Sequence, residues 1–208
     1  MIRKYVPEGA KLLPEEAERV FSGKIYDVYQ WPQEMFDGST ETFEMLRRAD
    51  TVKVVAVLTP EELERAGFAK ANQSQVIITK QEQPRKDCFY DYPGGRADAE
   101  DTDELAAAKR EMLEETGMSF RNWKLIRVKQ PFNKIDWLVY TFLATGFEGC
   151  KEQNLDAGEK IEVLALDFDK IAELARSSDG KYLRLQELSE NWELESLLAT
   201  EELHRYDD

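Results

Sequence analysis

Apolar and polar positions alternate through VFSGKIYDVYQW (residues 20–31) and again through TETFEML (40–46), with Phe36-Asp37-Gly38 between them as a turn signal. Period-two alternation broken by a turn predicts antiparallel strands that each bury one face. The pattern then changes. VKVVAVL, residues 52–58, is short, β-branched and almost wholly apolar, which suits a central strand buried on both faces. Pro60 opens a short helical stretch, PEELERAGF, that stops near Gly67, and QVIITK at 75–80 predicts the next strand.

Pro93-Gly94-Gly95 interrupts the chain ahead of ADAEDTDELAAAKREMLEETG. Within that segment Leu105, Ala108, Met112 and Thr116 recur at helical spacing, with Asp101, Thr102 or Asp103 available as the cap and Gly117 as the stop. KLIRVKQ, WLVYTFLA and IEVLALD follow as three strand-like stretches, and amphipathic helices are predicted over 169–175 and 190–202. Strands alternating with helices behind an antiparallel front imply an α/β fold, a mixed sheet with helices on both faces. Residues 1–50 are expected to be the strand-rich front segment and 51–208 the main domain.

Charge narrows the function. A formal net charge of -14, with no basic run interleaved with aromatics, argues against nucleic acid as the ligand. A phosphate ester bound by such a chain needs cations to mediate the contact. The longest apolar runs, such as 137–144, fall short of the ~20 residues of a membrane-spanning helix, and no apolar stretch follows the basic residues near Met1. Cys88 and Cys150 have neither metal-ligand nor redox spacing, so a reducing, cytoplasmic setting is expected. His204 is the only histidine and sits in a polar C-terminal stretch, which disfavours a histidine base; none of these three residues receives a role.

The segment REMLEETG (110–117) carries the chemistry. Glu111 and Glu115 lie four apart and Glu114 three from Glu111, so the carboxylates converge along one exposed side of a helix while Leu105 and Met112 face the core. Like charges at that spacing repel one another. Gathered beside a glycine-rich turn they suit a hard, oxygen-seeking cation such as magnesium, whereas a solvated acidic face is the alternative reading.

PGGRADAEDTDELAAAKREMLEETGM resembles the box of the Nudix hydrolases, G-x5-E-x7-R-E-U-x-E-E-x-G-U with U a bulky aliphatic residue. Gly95 is the opening glycine, and Arg110, Glu111, Met112, Glu114, Glu115, Gly117 and Met118 fill the second half. Gly95 lies one residue farther from Arg110 than the pattern, and Thr102 falls where the early glutamate belongs. A one-residue insertion accounts for both and leaves Glu100 or Asp101 to supply that carboxylate. The stretch before VKVVAVL, with Phe21-x-Gly23, Asp37-Gly38, Phe43-Glu44 and Arg47-Arg48, looks like the N-terminal strands of the ADP-ribose pyrophosphatase branch. KQEQPRK is similar to that branch's K-Q-x-R-P, with Gln83 in place of the arginine and Arg85 two positions later, and Pro131 stands where the branch carries a proline after the box.

The resemblance implies a Nudix-type α/β/α sandwich that hydrolyses ADP-ribose or a related nucleoside diphosphate sugar. It implies magnesium, with manganese as a substitute, held by Glu111, Glu114, Glu115 and the Gly94 carbonyl. Arg110 would orient the glutamates, or else form a surface pair with Glu114. Glu159 is the expected general base, with Asp156 and Glu162 as alternatives. Arg47, Arg48, Arg85, Trp31 and Phe132 are the expected substrate contacts; Trp137 is a further stacking candidate, although core packing is the commoner fate of an aromatic in such a strand. The front strands, with exposed edges, would pair in a homodimer. Another Nudix substrate, such as a dinucleoside polyphosphate or modified nucleotide, and a catalytically silent nucleotide-binding domain are the rival readings.

Overall fold

A computed structural model of the chain describes residues 1–186 and 193–206. The predicted front section is a meander of three antiparallel strands, β1 (Glu18–Ser22), β2 (Asp27–Glu34) and β3 (Thr40–Arg47). Gly38, at φ 83°, makes the turn between β2 and β3. A fourth, two-residue strand, β8 (Ile135–Asp136), runs parallel to the end of β3, so this sheet borrows an edge from the main domain. Arg3 strengthens the join, since it pairs with Asp50 at 2.6 Å and with Asp136 at 2.7 Å, both carboxylates being buried. The division at residue 50 therefore marks a change of sheet rather than a loose linker.

The main sheet has the order β10-β5-β4-β9-β7, with β4 (Thr51–Leu58) at its centre. Its other strands are β5 (Gln75–Glu82), β6 (Phe89–Asp91), β7 (Met118–Lys129), β9 (Val139–Cys150) and β10 (Lys160–Leu166). β4 and β9 are parallel and the remaining pairs antiparallel, as a mixed sheet requires. Alternation along β4 divides the core. Val52, Val54, Ala56 and Leu58 pack toward α1 (Pro60–Arg65) and α2 (Glu104–Thr116), while Val55 and Val57 pack toward α3 (Phe168–Ala175). A 3-10 helix (Gly180–Leu185) and α4 (Leu194–Leu198) extend the second layer through Leu185 and Leu197. The helix expected over 190–202 is thus shorter, and residues 190–192 lie outside the described residues.

One irregularity builds the site. β4 pairs with β5 only over Ala56–Leu58, after which β5 pairs with β6 instead. The chain leaving β6 then crosses to β4: Val54 N–H donates to the Pro93 carbonyl at 2.8 Å and Val52 N–H to that of Gly95 at 2.9 Å. Gly94 sits between them at φ 144°, where a Cβ would collide with the Val52 carbonyl oxygen. The PGG sequence is the backbone solution to inserting a loop into a splayed sheet.

Candidate active site

Asp103, of the three possible caps, begins α2 by accepting from Ala106 N–H, and Gly117 ends the helix at φ 73°. The three box glutamates do not share one exposed side as expected. Glu114 keeps 35% of its side chain exposed, Glu111 keeps 13%, and the residue Glu115 only 5%. Burial follows from the helix lying against the PGG loop. Glu115 accepts from Gly94 N–H at 2.8 Å and from the Gln81 amide at 3.1 Å. A Cβ on Gly95 would stand 2.5 Å from the Glu111 carboxylate.

Burial dominates the electrostatics. It pushes Glu115 well above the ordinary carboxylate range despite the Gly94 hydrogen bond, and it pushes Glu111 up to about 7 against the pull of Arg110. Arg110 ties the cluster together. Its Nη1 donates to Glu111 at 3.0 Å and to Glu114 at 2.9 Å, and its Nε and Nη2 grip Asp101 at 3.0 and 2.9 Å. These contacts exceed a surface i,i+4 pair. Burial alone would raise Asp101, but the hydrogen bonds from Arg110 and from Asp98 N–H hold it below its ordinary range. Asp101, rather than Glu100, is the carboxylate joined to the box arginine. Among the described residues no three acidic side chains close into a finished cation cage, and Arg110 engages two of the box glutamates.

Arg110 and the three glutamates line a polar cleft of about 490 Å³ together with Asp156 and Glu159. Glu159 is raised by burial, then by Asp156 and Glu114. Glu162, the other alternative, points elsewhere and pairs with Lys80 at 2.9 Å. The Gly94 carbonyl lies outside the ladder that its two neighbours make with β4.

A second cleft, about 550 Å³, shares Gly94, Gly95, Arg96, Asp91 and Arg184 with the first. Arg48 and Trp137 form part of its wall, the guanidinium lying 4.4 Å from the ring centroid. Trp137 is half-buried just before β9, anchored by Thr51 Oγ1 at 3.0 Å and stacked on exposed Phe132, so the core position expected for it is corrected. Two other candidates lie away from both clefts. Trp31 is buried on β2 beside Phe43, and Arg85 occupies the exposed β5–β6 turn at φ 64°; neither lines the carboxylate cleft. Arg47 lines a separate basic concavity.

The sequence reading missed Lys53, Gln81, Asp91, Arg96 and Arg184. Asp91 is buried and holds Lys53 at 2.9 Å and Arg184 at 3.3 Å. The available signal was a charge interrupting an apolar strand, Lys53 in VKVVAVL and Asp91 in CFYDY. Such charges are rarely buried without a partner.

The layers and the loop-and-helix carboxylate site define an α/β/α domain built around a cleft at a splayed sheet. More narrowly, the chain belongs to the Nudix family, because the sequence model of the NUDIX domain matches residues 47–186, well over half its length. It is 26% identical to the ADP-ribose pyrophosphatase of Bacillus subtilis (strain 168) over 167 residues, covering 78% of this chain and 82% of that protein. It is 24% identical to the methanol dehydrogenase activator of Bacillus methanolicus over 187 residues, covering 83% and 92%. The crystal structure of an ADP compounds hydrolase superposes with a TM-score of 0.60 at 14% identity, over 85% of this chain and 91% of that one, a likeness of fold. No helix among the described residues is long and apolar enough to cross a membrane.

Proposed function

We propose that the chain hydrolyses the pyrophosphate bond of ADP-ribose or a related nucleoside diphosphate sugar, releasing a nucleoside monophosphate and a sugar phosphate. One observation carries this reading: the continuous groove has acids at one end, cations and stacked aromatics at the other, and meets at Gly94–Arg96. The similarity to an ADP-ribose pyrophosphatase over most of both chains supports it.

Glu111, Glu114, Glu115 and the Gly94 carbonyl would hold magnesium, or manganese in its place. Their fit rests on hard oxygen donors and on buried carboxyls whose mutual repulsion a divalent cation relieves. When bound, the metal supplies charge neutralisation at the phosphoryl oxygens and acidifies a water. Glu159, kept basic by burial, takes the proton of the attacking water. Arg110, braced on Asp101, orients Glu111 and Glu114. Lys53 and Arg184, both pinned by Asp91, face the diphosphate, while Arg48, Trp137 and Phe132 take its base or sugar.

The test is a panel of ADP-ribose, GDP-mannose, a diadenosine polyphosphate and dGTP at one magnesium concentration. ADP-ribose should have the highest kcat/KM, and a clear preference for either of the last two would overturn the substrate assignment. The similarity to a methanol dehydrogenase activator favours a second reading, service to a dehydrogenase; a dehydrogenase whose rate is unchanged when the chain is added would count against it.

A second copy of the chain is the proposed partner. β1 ends its sheet with all five residues exposed, Val20 and Phe21 at 53% and 59%, a surface that pairing would cover. Light scattering at micromolar concentration that returned the monomer mass of 24.1 kDa would rule it out.

A further inference from the structure

Beyond Arg96 and Asp98 lies a third concavity of about 480 Å³, and of its lining the proposed reaction uses only Arg48 and Arg96, at its rim with the neighbouring clefts. It opens between the β1–β2 turn, the end of β3 and the loop after Gly95. Its charges are unequally satisfied. Each acid on its wall is engaged: Asp50 by Arg3 at 2.6 Å, Asp27 by Arg19 at 3.6 Å and Asp98 by Arg110 at 3.8 Å. Lys24, Arg47, Arg48 and Arg96 make no ion pair among the described residues. Arg48 only lies over the Trp137 and Tyr26 rings, and its buried Nε has no acceptor.

That arrangement runs against the composition. With 42 acids to 28 bases, a cation on this chain readily finds a carboxylate, yet four around one concavity have none. Their mutual repulsion and the unmet Arg48 donor are both relieved by a compact, multiply charged anion. A phosphate monoester fits, with about two negative charges and three acceptor oxygens for guanidinium donors.

We infer that the concavity lined by Lys24, Arg47, Arg48 and Arg96 is a site for a phosphate monoester, carried on the end of the substrate remote from the scissile bond. Arg96 and Asp98 belong to both this concavity and the carboxylate cleft, so one ligand can span them. The inference rests on the hydrolase reading for its substrate and on the unpaired cations for its site.

The test compares ADP-ribose with ADP-ribose bearing a 2′-phosphate, in the wild type and in Lys24→Glu. The extra phosphate should lower KM about tenfold in the wild type with kcat unchanged. Lys24→Glu should erase that advantage while leaving the constants for plain ADP-ribose within about twofold. Titration of inorganic phosphate into the metal-free protein identifies the source of the anion. Phosphate binding lost in Lys24→Glu, without any preference between the two substrates, keeps the site and assigns it to a free phosphate-bearing ligand. Equal KM values together with no phosphate binding, or with binding indifferent to Lys24→Glu, overturn the site. If neither nucleotide is hydrolysed, the hydrolase reading fails and the phosphate titration still decides the site.

Discussion

The two sheets of this molecule begin from similar strand-forming stretches and end in opposite conditions. In the main sheet β4 has partners on both edges and helices over both faces, and six of its eight residues are buried. In the front sheet β1 is exposed at every position, and only Trp31 and Met45 of β2 and β3 reach full burial. The proposed functional groups divide the same way. Glu111 and Glu115 are fixed to the closed sheet through α2 and the PGG loop, whereas Lys24, Arg47 and Arg48 project from the turn and strand end of the open one. Groups that must meet a reacting bond within a fraction of an ångström need the rigid part, and groups that recognise a ligand's periphery tolerate the thinner one.

The sharpest way to break that comparison is to disturb the loop that anchors the acids. Gly94→Ala sets a Cβ against the Val52 carbonyl at a φ that L residues avoid, so it should cost at least about 2 kcal/mol of stability and most of the soluble protein. Gly95→Ala meets the side-chain carboxylate of Glu111 rather than backbone. It should leave the urea midpoint nearly unchanged while lowering kcat. Equal loss of stability in both variants would mean that the loop is less tightly built than its contacts indicate.

Glu115→Gln keeps the size of the side chain and removes its charge. A loss of activity on the order of 10²-fold or more is expected, since metal binding contributes several kcal/mol to such reactions. Some stability should also go, because the amide presents a donor to either Gly94 N–H or the Gln81 amide. Near wild-type turnover at saturating magnesium would remove Glu115 from the metal site.

A smaller effect is expected from pH. Burial pushes Glu111 up to about 7 from an ordinary 4.5, so in the metal-free chain the folded state should retain a proton that the unfolded chain releases. Its contribution to stability is therefore present at low pH and lost as pH rises through that window. A divalent cation competes for the same carboxylate, so apparent metal affinity should climb over the window and level off above it. Thermal melts of wild type and Glu111→Gln between about pH 5 and about pH 8, with and without magnesium, measure both effects. A wild-type minus variant stability difference that increases with pH would contradict the burial argument.

How much of this was legible in the sequence follows the same division. The carboxylate site was readable because its constraints are local: helix spacing sets the glutamates, and two glycines record a backbone approach. Both layers of the fold were readable from periodicity. The burial of Glu115 was not, since it depends on a loop folded in from residues 93–95 and on Gln81 across the sheet. Trp31 and Arg85 lie away from both clefts for a related reason. Residue type proposes a stacking or phosphate contact, but only the register of β2 and the course of the β5–β6 turn decide where the side chain goes.

The least effect is expected at the position where the sequence departs from the family pattern. Thr102 occupies the early glutamate's place by count, yet it is exposed and Asp103 caps α2. Asp101 instead takes both hydrogen bonds of the Arg110 guanidinium edge, which in turn holds Glu111 and Glu114. Thr102→Ala should thus change stability by no more than about 0.5 kcal/mol and leave the magnesium requirement alone. Asp101→Asn weakens the brace without opening a cavity and should raise the magnesium concentration for half-maximal rate several-fold, by about 1 kcal/mol, with a smaller change in kcat. Glu100 is exposed and makes no side-chain hydrogen bond or ion pair among the described residues, so Glu100→Ala serves as the control. If Asp101→Asn proves as silent as the other two, Arg110 needs no brace, and the insertion in the loop has removed the early carboxylate's role altogether.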